Sequence, residues 1–135
     1  MVELIRFNTA FKIKPAMNGD VFDLKGAFIS IVSDAFPFVA SFDVLFSIVG
    51  INTFDENYLD YSLEDSLGNE LLLVEGIKIA PLPFGKRTRN DFVWNCVVNV
   101  SNATFEKPGL YKHVITYNDE IIKEIPMFVS QVYRN

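Results

Sequence analysis

The segment PGLYKHVITYNDEIIKEIPMFV, residues 108–129, decides the fold more clearly than any other part of the sequence. From Tyr111 to Tyr117 alternate residues are mostly aromatic or aliphatic, and this period of two is typical of a half-buried strand. Asn118 and Asp119 supply a turn, because both residues tolerate the backbone conformations that tight turns need. The chain then continues as a second strand. The segment therefore predicts a β-hairpin.

The same period recurs along the rest of the chain, and Gly, Pro, Asn and Asp residues separate the alternating runs. We predict about eight strands and no helix. The predicted strands cover residues 6–14, 22–28, 42–48, 58–65, 70–80, 92–101, 110–117 and 121–129. Residues 70–80 are apolar on both faces, which predicts a central strand. Residues 33–41, which contain Phe36-Pro37, are predicted to form a connection.

Length and composition favour one folded unit with a large apolar core. The chain has 135 residues, and we assign residues 1–135 to a single domain. Hydrophobic residues make up 50% of the chain, and its 13 phenylalanines suit the space between two facing sheets. The sequence therefore predicts an all-β protein built as a single antiparallel two-layer sandwich.

Charge and targeting features exclude several classes of protein. Twelve basic against 17 acidic residues give a net charge of −5, which argues against a nucleic-acid partner, since such binding depends on clustered lysine and arginine. The longest apolar stretch, residues 36–51, is interrupted by proline, serine and aspartate, so we expect no membrane partner. The first residues lack the pattern of a signal peptide, and the single cysteine excludes an intramolecular disulfide framework. These features predict a cytoplasmic protein.

Residues that carry nucleophilic or metal chemistry are scarce. His113 is the only histidine and Cys96 the only cysteine, and both lie on predicted strand faces that are otherwise apolar. We expect both side chains to be buried and structural. There is no glycine-rich phosphate loop and no clustered metal-ligand motif. Because no nucleophile, base and orienting group can be named together, the chain is predicted not to be an enzyme and to hold no cofactor or metal.

The part of the chain that precedes Lys78 is acidic. No lysine or arginine occurs between Lys25 and Lys78, and residues 55–70 are rich in carboxylates. The candidate binding residues of this acidic edge are Asp55, Glu56 and Asp60. Their turn and alternating positions favour a solvated edge that discourages aggregation between sheets. The alternative is an acidic surface that meets a basic partner.

A second candidate site is the loop PLPFGKRTRN at residues 81–90, which joins apolar side chains to cations. Its candidate binding residues are Phe84, Lys86, Arg87 and Arg89, because apolar groups beside guanidinium groups are typical of binding loops. Arg87 and Arg89 are also able to bind a phosphate or a carboxylate through paired hydrogen bonds. The alternative is that Leu82 and Phe84 close the open end of the sandwich while the cations stay in solvent.

Several short motifs spread over most of the chain carry a family resemblance. They are Asn18-Gly19, LKGAF at 24–28, Phe36-Pro37, DSLGNEL at 65–71, Phe105, PGLY at 108–111 and Ile125-Pro126. With these motifs the chain resembles a family of uncharacterised bacterial and phage β-sandwich domains known only as a domain of unknown function. The resemblance implies an immunoglobulin-like, Greek-key sandwich and brings no catalytic residues. The PGLY motif also resembles a tyrosine corner, in which the Tyr111 hydroxyl ties a strand to the preceding loop.

Taken together, these features favour a non-enzymatic protein-interaction module. Its expected partner is another protein or a second copy of the chain, because one region is negative and one loop is positive. A bacterial or phage origin, with a host-interaction or anti-defence role, follows from the resemblance alone. The first alternative is a protein that binds or sequesters an anionic metabolite or nucleotide through Arg87 and Arg89. The second is a virion or assembly component.

Overall fold

The computed structural model describes residues 2–16, 21–52, 54–79 and 93–132, which form nine strands and no helix. The strands are Glu3–Pro15 (β1), Phe22–Phe28 (β2), Ser30–Ser33 (β3), Phe38–Val49 (β4), Asn57–Asp65 (β5), Glu70–Ile79 (β6), Val93–Phe105 (β7), Gly109–Tyr117 (β8) and Glu120–Gln131 (β9). The all-β prediction is confirmed. Within this described part of the chain, no helix is long and apolar enough to cross a membrane.

The strands form two sheets that differ in two respects from the predicted arrangement. The four-stranded sheet has the order β2-β1-β4-β7 and the five-stranded sheet the order β3-β9-β8-β5-β6. All neighbours are antiparallel except β3, which pairs in parallel with residues 128–131 of β9. The prediction of about eight strands missed β3, and the prediction of purely antiparallel pairing is wrong. Both errors come from β3, whose four residues are too few to display an alternating pattern.

Two further predictions about strands are corrected. The predicted connection at 33–41 is much shorter, because β3 ends at Ser33 and β4 already begins at Phe38. The strand predicted to be central at 70–80 is β6, which lies at the edge of the five-stranded sheet. Apart from Ile79 at its end, its apolar residues are only partly covered, and Leu73 is 43% exposed. An edge strand can therefore carry the same continuous apolar pattern as a central one.

The facing sides of the two sheets share one hydrophobic core. The four-stranded sheet contributes Phe42 and Phe46 of β4, and the five-stranded sheet contributes Leu59, Tyr61 and Leu63 of β5. These five side chains are at most 2% exposed. Burial of a large apolar side chain stabilises a fold by roughly 1.5–3 kcal/mol, so this layer supplies much of the stabilising free energy.

The β1–β2 hairpin curls over the outer side of the four-stranded sheet and creates a second, smaller core. Its members are Ala10, Ile13 and Leu45, with Phe22 and Val97 packed against them. Leu45 alternates with residues that face the main core, so its side chain lies on the opposite side of β4. The amide of Ile13 donates to the Asp43 carboxylate at 2.9 Å, and the Arg6 guanidinium lies 5.2 Å from the centre of the Phe22 ring. The four-stranded sheet is therefore strongly curled.

A tyrosine corner fixes the start of β8. The Tyr111 hydroxyl donates to the backbone carbonyl of Lys107 at 2.6 Å, and the Tyr111 side chain is 4% exposed. The predicted role of Tyr111 is thus confirmed. Phe105 packs edge-on against the same ring, with centroids 5.0 Å apart, so the corner also connects the end of β7 to β8.

Removal of the Tyr111 hydroxyl is expected to destabilise the protein without changing its fold. In Tyr111→Phe the Lys107 carbonyl loses its partner, which costs about 1 kcal/mol and lowers the thermal midpoint by ~4 °C. The matched control is Tyr58→Phe, whose hydroxyl bonds to Glu56 at an exposed site and should contribute almost nothing. Equal midpoints for the two variants in thermal unfolding would show that the corner is not stabilising.

Candidate functional site

One end of the five-stranded sheet carries a cluster of carboxylates from three chain segments, which we call the acidic end. Its residues are Asp55, Glu56, Asp60, Glu75 and Asp119. The turn between β8 and β9 is held against β5 by two hydrogen bonds, from Asn118 N to Tyr58 O at 2.9 Å and from Tyr58 N to Asn118 Oδ1 at 3.0 Å. This pairing places Asp119 beside the strand that carries Asp60.

A β-bulge brings the third segment to the same place. Leu59 pairs with Ile77 and Tyr61 with Val74, so Glu75 and Gly76 of β6 both lie opposite Asp60. Gly76 has a φ of 70°, which a residue with a side chain rarely adopts. Its amide donates to Asp60 Oδ1 at 2.8 Å. The bulge thus orients the Asp60 carboxylate.

The strands surround an open depression of about 640 Å³. It is lined by Tyr58, Asp60, Glu75, Gly76, Asn118 and Asp119. The exposed side chains of Tyr58 (47%) and Phe54 (56%) add aromatic surface at this end of the sheet. The described residues contain no group of three or more His, Cys, Asp or Glu side chains arranged to hold a metal ion. The acidic end therefore offers a broad anionic surface with aromatic rings.

Among the carboxylates of the acidic end, Glu56 has the most described partners. It accepts a hydrogen bond from the Tyr58 hydroxyl and forms an ion pair with Lys78 at 3.1 Å. These partners, first Tyr58 and then Lys78, hold the pKa of Glu56 below its usual value. The same hydrogen bond raises the pKa of Tyr58. Glu56 is consequently ionised, and Tyr58 neutral, at physiological pH.

Of the three residues predicted for the acidic edge, two are associated with the depression and one lies in the preceding turn. Asp60 lines the depression, and Glu56 is hydrogen-bonded to Tyr58, which also lines it. Asp55 belongs to the turn before β5, where it accepts a hydrogen bond from the Asn52 side chain at 3.0 Å. Sequence reasoning missed Glu75, because nothing in the sequence specified the register of β6 against β5.

The other predicted site lies outside the described residues. Phe84, Lys86, Arg87 and Arg89 all fall in the segment 80–92, of which the structure gives no description. Their assignment as binding residues stays a prediction from the sequence.

A second concave feature lies between the two sheets and is called here the β1–β9 cavity. Its volume is about 410 Å³. It is lined by Phe7, Asn8, Thr9, Ala27, Phe28, Ile29, His113, Ile125 and Pro126. No pattern in the sequence predicted this cavity, because its walls come from β1, β2, β8 and β9, which only the strand order brings together.

His113 and Cys96 are buried, as predicted. His113 is 1% exposed, and burial lowers the pKa of its ring to about 4, so the imidazole is neutral at pH 7. Its Nδ1 atom lies 2.6 Å from the Tyr61 hydroxyl. Cys96 is 9% exposed, and burial raises the pKa of its thiol to about 12. The thiol is therefore protonated and a poor nucleophile at neutral pH.

Comparison with solved structures relates the fold to parts of much larger proteins. An alkylpurine DNA glycosylase of Pseudomonas fluorescens, AlkC, bound to DNA containing an abasic site analog, matches with a TM-score of 0.53 at 8% identity, over 96% of this chain and 30% of that chain. A β-glucosidase of Listeria innocua in complex with isofagomine matches with a TM-score of 0.46 at 9% identity, over 98% of this chain and 17% of that one. The chain thus spans less than a third of either protein. At such identities the glycosylase match shows likeness of fold alone.

The sequence comparisons identify a family. No curated protein matches the chain. A family model, described as a family of unknown function (DUF6941), matches residues 17–130, which is most of the chain. The resemblance to an uncharacterised family is confirmed, and this chain belongs to the family of unknown function DUF6941.

Proposed function

We propose that this chain is a non-enzymatic protein-interaction module whose acidic end receives a basic segment of another protein. The observation that carries the proposal is the convergence of carboxylates from three chain segments on one open depression. Asp60, Glu75 and Asp119 border the depression, while the only Lys or Arg with a described contact there is Lys78, which is already paired with Glu56. The local field therefore attracts cations and speeds their association.

The exposed aromatic rings support a protein partner over a free cation. Tyr58 and Phe54 are large side chains that are about half exposed; Tyr58 lines the depression, and Phe54 directly precedes Asp55 in the chain. Arginine side chains combine with such a surface in two ways, through paired hydrogen bonds to carboxylates and through contact with aromatic faces. A segment of an arginine-rich protein satisfies both requirements at once.

Binding of a short arginine-rich peptide, measured by fluorescence anisotropy, tests this proposal. The double variant Asp60→Asn/Asp119→Asn removes two charges and keeps the shape of the site, since asparagine can still accept the Gly76 hydrogen bond and tolerates the positive φ of Asp119. We expect the peptide to bind this variant ~10-fold more weakly than the parent protein. Binding to the parent should also weaken as salt is added.

The matched control removes the same charge from the other sheet. Asp23→Asn/Glu106→Gln changes exposed carboxylates on β2 and just after the end of β7. This control is expected to change the affinity by less than about twofold, because exposed charges beyond a Debye length are largely screened. An equal loss in both double variants would mean that the peptide senses only net charge, and would overturn the proposed site.

The finer features of the prediction belong to the same proposal. We infer an immunoglobulin-like arrangement, supported by the order β9-β8-β5-β6 opposite β4-β7 and by the tyrosine corner. A bacterial or phage origin, a cytoplasmic location and a host-interaction or anti-defence role rest on the sequence reasoning alone. Self-association is the alternative within the same class. In that case a second copy supplies the cations, and the oligomeric mass in solution would report it.

A further inference from the structure

The β1–β9 cavity exists because β3 covers only part of β9. β3 pairs with residues 128–131 of β9, and among the described residues the preceding part of β9 has no strand partner on that side. Ile125 and Pro126 therefore border an open gap, and Phe7 and Thr9 of β1 form the opposite wall. The cavity shares no lining residue with the acidic end.

Two buried polar side chains, those of Thr9 and His113, line the cavity among apolar ones. His113 is surrounded by the rings of Phe7 at 4.9 Å, Tyr61 at 5.8 Å and Phe42 at 6.4 Å between centroids. The Thr9 hydroxyl already donates to the Phe28 carbonyl. Of these two side chains, His113 alone has a hydrogen-bond donor left for an occupant, since the Thr9 hydroxyl oxygen can only accept.

The hydrogen bond to Tyr61 determines which nitrogen of His113 carries the proton. The Tyr61 side chain is fully buried, and the described hydrogen-bond partner of its hydroxyl is His113 Nδ1. If Nδ1 carried the proton, the Tyr61 O–H group would lack an acceptor, which is costly for a buried hydroxyl. The hydroxyl therefore donates to Nδ1, and the proton of the neutral ring resides on Nε2.

Nε2–H is left facing the cavity. His113 makes no described hydrogen bond through Nε2, yet no fully buried polar side-chain atom in the described residues lacks a partner. Nε2 must therefore retain access to open space, and the β1–β9 cavity is the space that the ring borders. A donor held in an apolar, largely desolvated setting gains more from a partner than one in water.

We propose that the β1–β9 cavity binds a small, uncharged apolar molecule whose carbonyl oxygen accepts a hydrogen bond from His113 Nε2–H. The cavity volume of about 410 Å³ falls within the range of small-molecule sites, which combine apolar walls with a few directed polar groups. At ~30 Å³ per water-sized group it holds on the order of ten non-hydrogen atoms. None of the lining residues is charged at neutral pH, so an anion would be desolvated without compensation.

The test compares two probes that differ at one position. Acetophenone has a ketone oxygen, and α-methylstyrene has a methylene group in its place, so the two differ in accepting a hydrogen bond and little in shape. Binding is followed by NMR of the protein, in which the His113 ring gives the only histidine signals. We expect acetophenone to shift the Nε2 and Hε1 resonances saturably. Absence of a saturable shift up to the solubility limit of acetophenone would overturn the proposal.

A double variant distinguishes binding through the hydrogen bond from binding by apolar contacts alone. Tyr61→Phe/His113→Phe replaces both partners of the buried pair with apolar rings, which is tolerated better than removal of one partner. The ratio of the two dissociation constants should shift toward α-methylstyrene by ~5-fold or more in this variant, since the donor is lost. An unchanged ratio would show that His113 does not recognise the ketone.

A second variant tests the location and does not touch the core. Ile29 lies at the rim of the cavity and is 90% exposed, so Ile29→Ser removes apolar wall without affecting folding. Both probes should bind this variant several-fold more weakly, with their ratio kept. The exposed residue Leu67 is 79% exposed and borders neither site, and Leu67→Ser is the matched control. Equal weakening by both substitutions would place the probes elsewhere.

Discussion

Replacement of Phe105 by alanine is expected to remove about 3–5 kcal/mol from the free energy of unfolding, the range for large aromatic side chains in protein cores. Phe105 is the last residue of β7 and is fully buried. Its ring stacks on Phe38 at 5.1 Å within the four-stranded sheet and contacts Tyr111 of the other sheet edge-on at 5.0 Å. The substitution therefore opens a cavity where the two sheets meet at the tyrosine corner.

The measurement is equilibrium unfolding in urea, with Phe128→Ala as the control. Phe128 is an aromatic residue on β9 that is 58% exposed, so the same substitution there removes little buried surface. Its effect should stay below about 1 kcal/mol, as for most exposed positions. Typical domains have only 5–15 kcal/mol of stability, so Phe105→Ala is expected to leave a substantial unfolded fraction. A loss below about 1 kcal/mol would mean that Phe105 does not connect the sheets.

The second large effect is a loss of stability in mild acid that depends on His113. Burial lowers the pKa of the folded-state imidazole to about 4, against an ordinary value of 6.5. Between these values the unfolded chain binds a proton that the folded chain does not, so stability falls as the pH is lowered through this window. The contribution is fully present above pH 6.5, and its loss by pH 4 amounts to about 3 kcal/mol.

The groups that surround His113 support a lowered pKa for its ring. The rings packed against it come from Phe7, Phe42 and Tyr61, and its strand neighbours in the ladder are Leu63 and Ile125. Among these groups Tyr61 alone is titratable, and burial raises the pKa of its hydroxyl, so it stays neutral. No nearby carboxylate is present among these contacts to stabilise an imidazolium.

Two measurements check the prediction. The Hε1 resonance of the single histidine should titrate well below pH 6, and titration near 6.5 would contradict the burial argument. Urea unfolding at several pH values should give a steeper loss in acid for the parent protein than for Tyr61→Phe/His113→Phe. The difference between the two curves isolates the histidine, because the carboxylates are common to both proteins.

The sequence predicted individual strands well and their arrangement poorly. The alternation from Tyr111 to Tyr117 and the turn at Asn118-Asp119 are local features, and the structure confirms both. The edge position of β6 depends on which strand lies beside β5, and no local pattern specifies that neighbour. The curl of the β1–β2 hairpin likewise depends on contacts with Leu45, a residue distant in sequence.

For the candidate sites too, local features were predicted from the sequence, and features that depend on strand pairing were not. Asp55, Glu56 and Asp60 were identified because they are close together in the sequence, and their binding role stays a proposal. Glu75 joins them only through the bulge at Gly76. The β1–β9 cavity depends on how far β3 extends along β9, and the two strands pair at only four residues each. Long-range register is thus the information that residue patterns lack.

The curled hairpin has a consequence for how this family can vary in sequence. Most strands in two-sheet proteins present one side to water, and the residues on that side are free to change. In β4, six of the seven positions from Phe42 to Ile48 are buried, and the seventh, Asp43, is bound to the Ile13 amide. This stretch has no neutral positions at which substitutions can accumulate. Sequence drift in the four-stranded sheet must therefore be borne by its other strands and by the start of β4, where Val39 is 58% exposed.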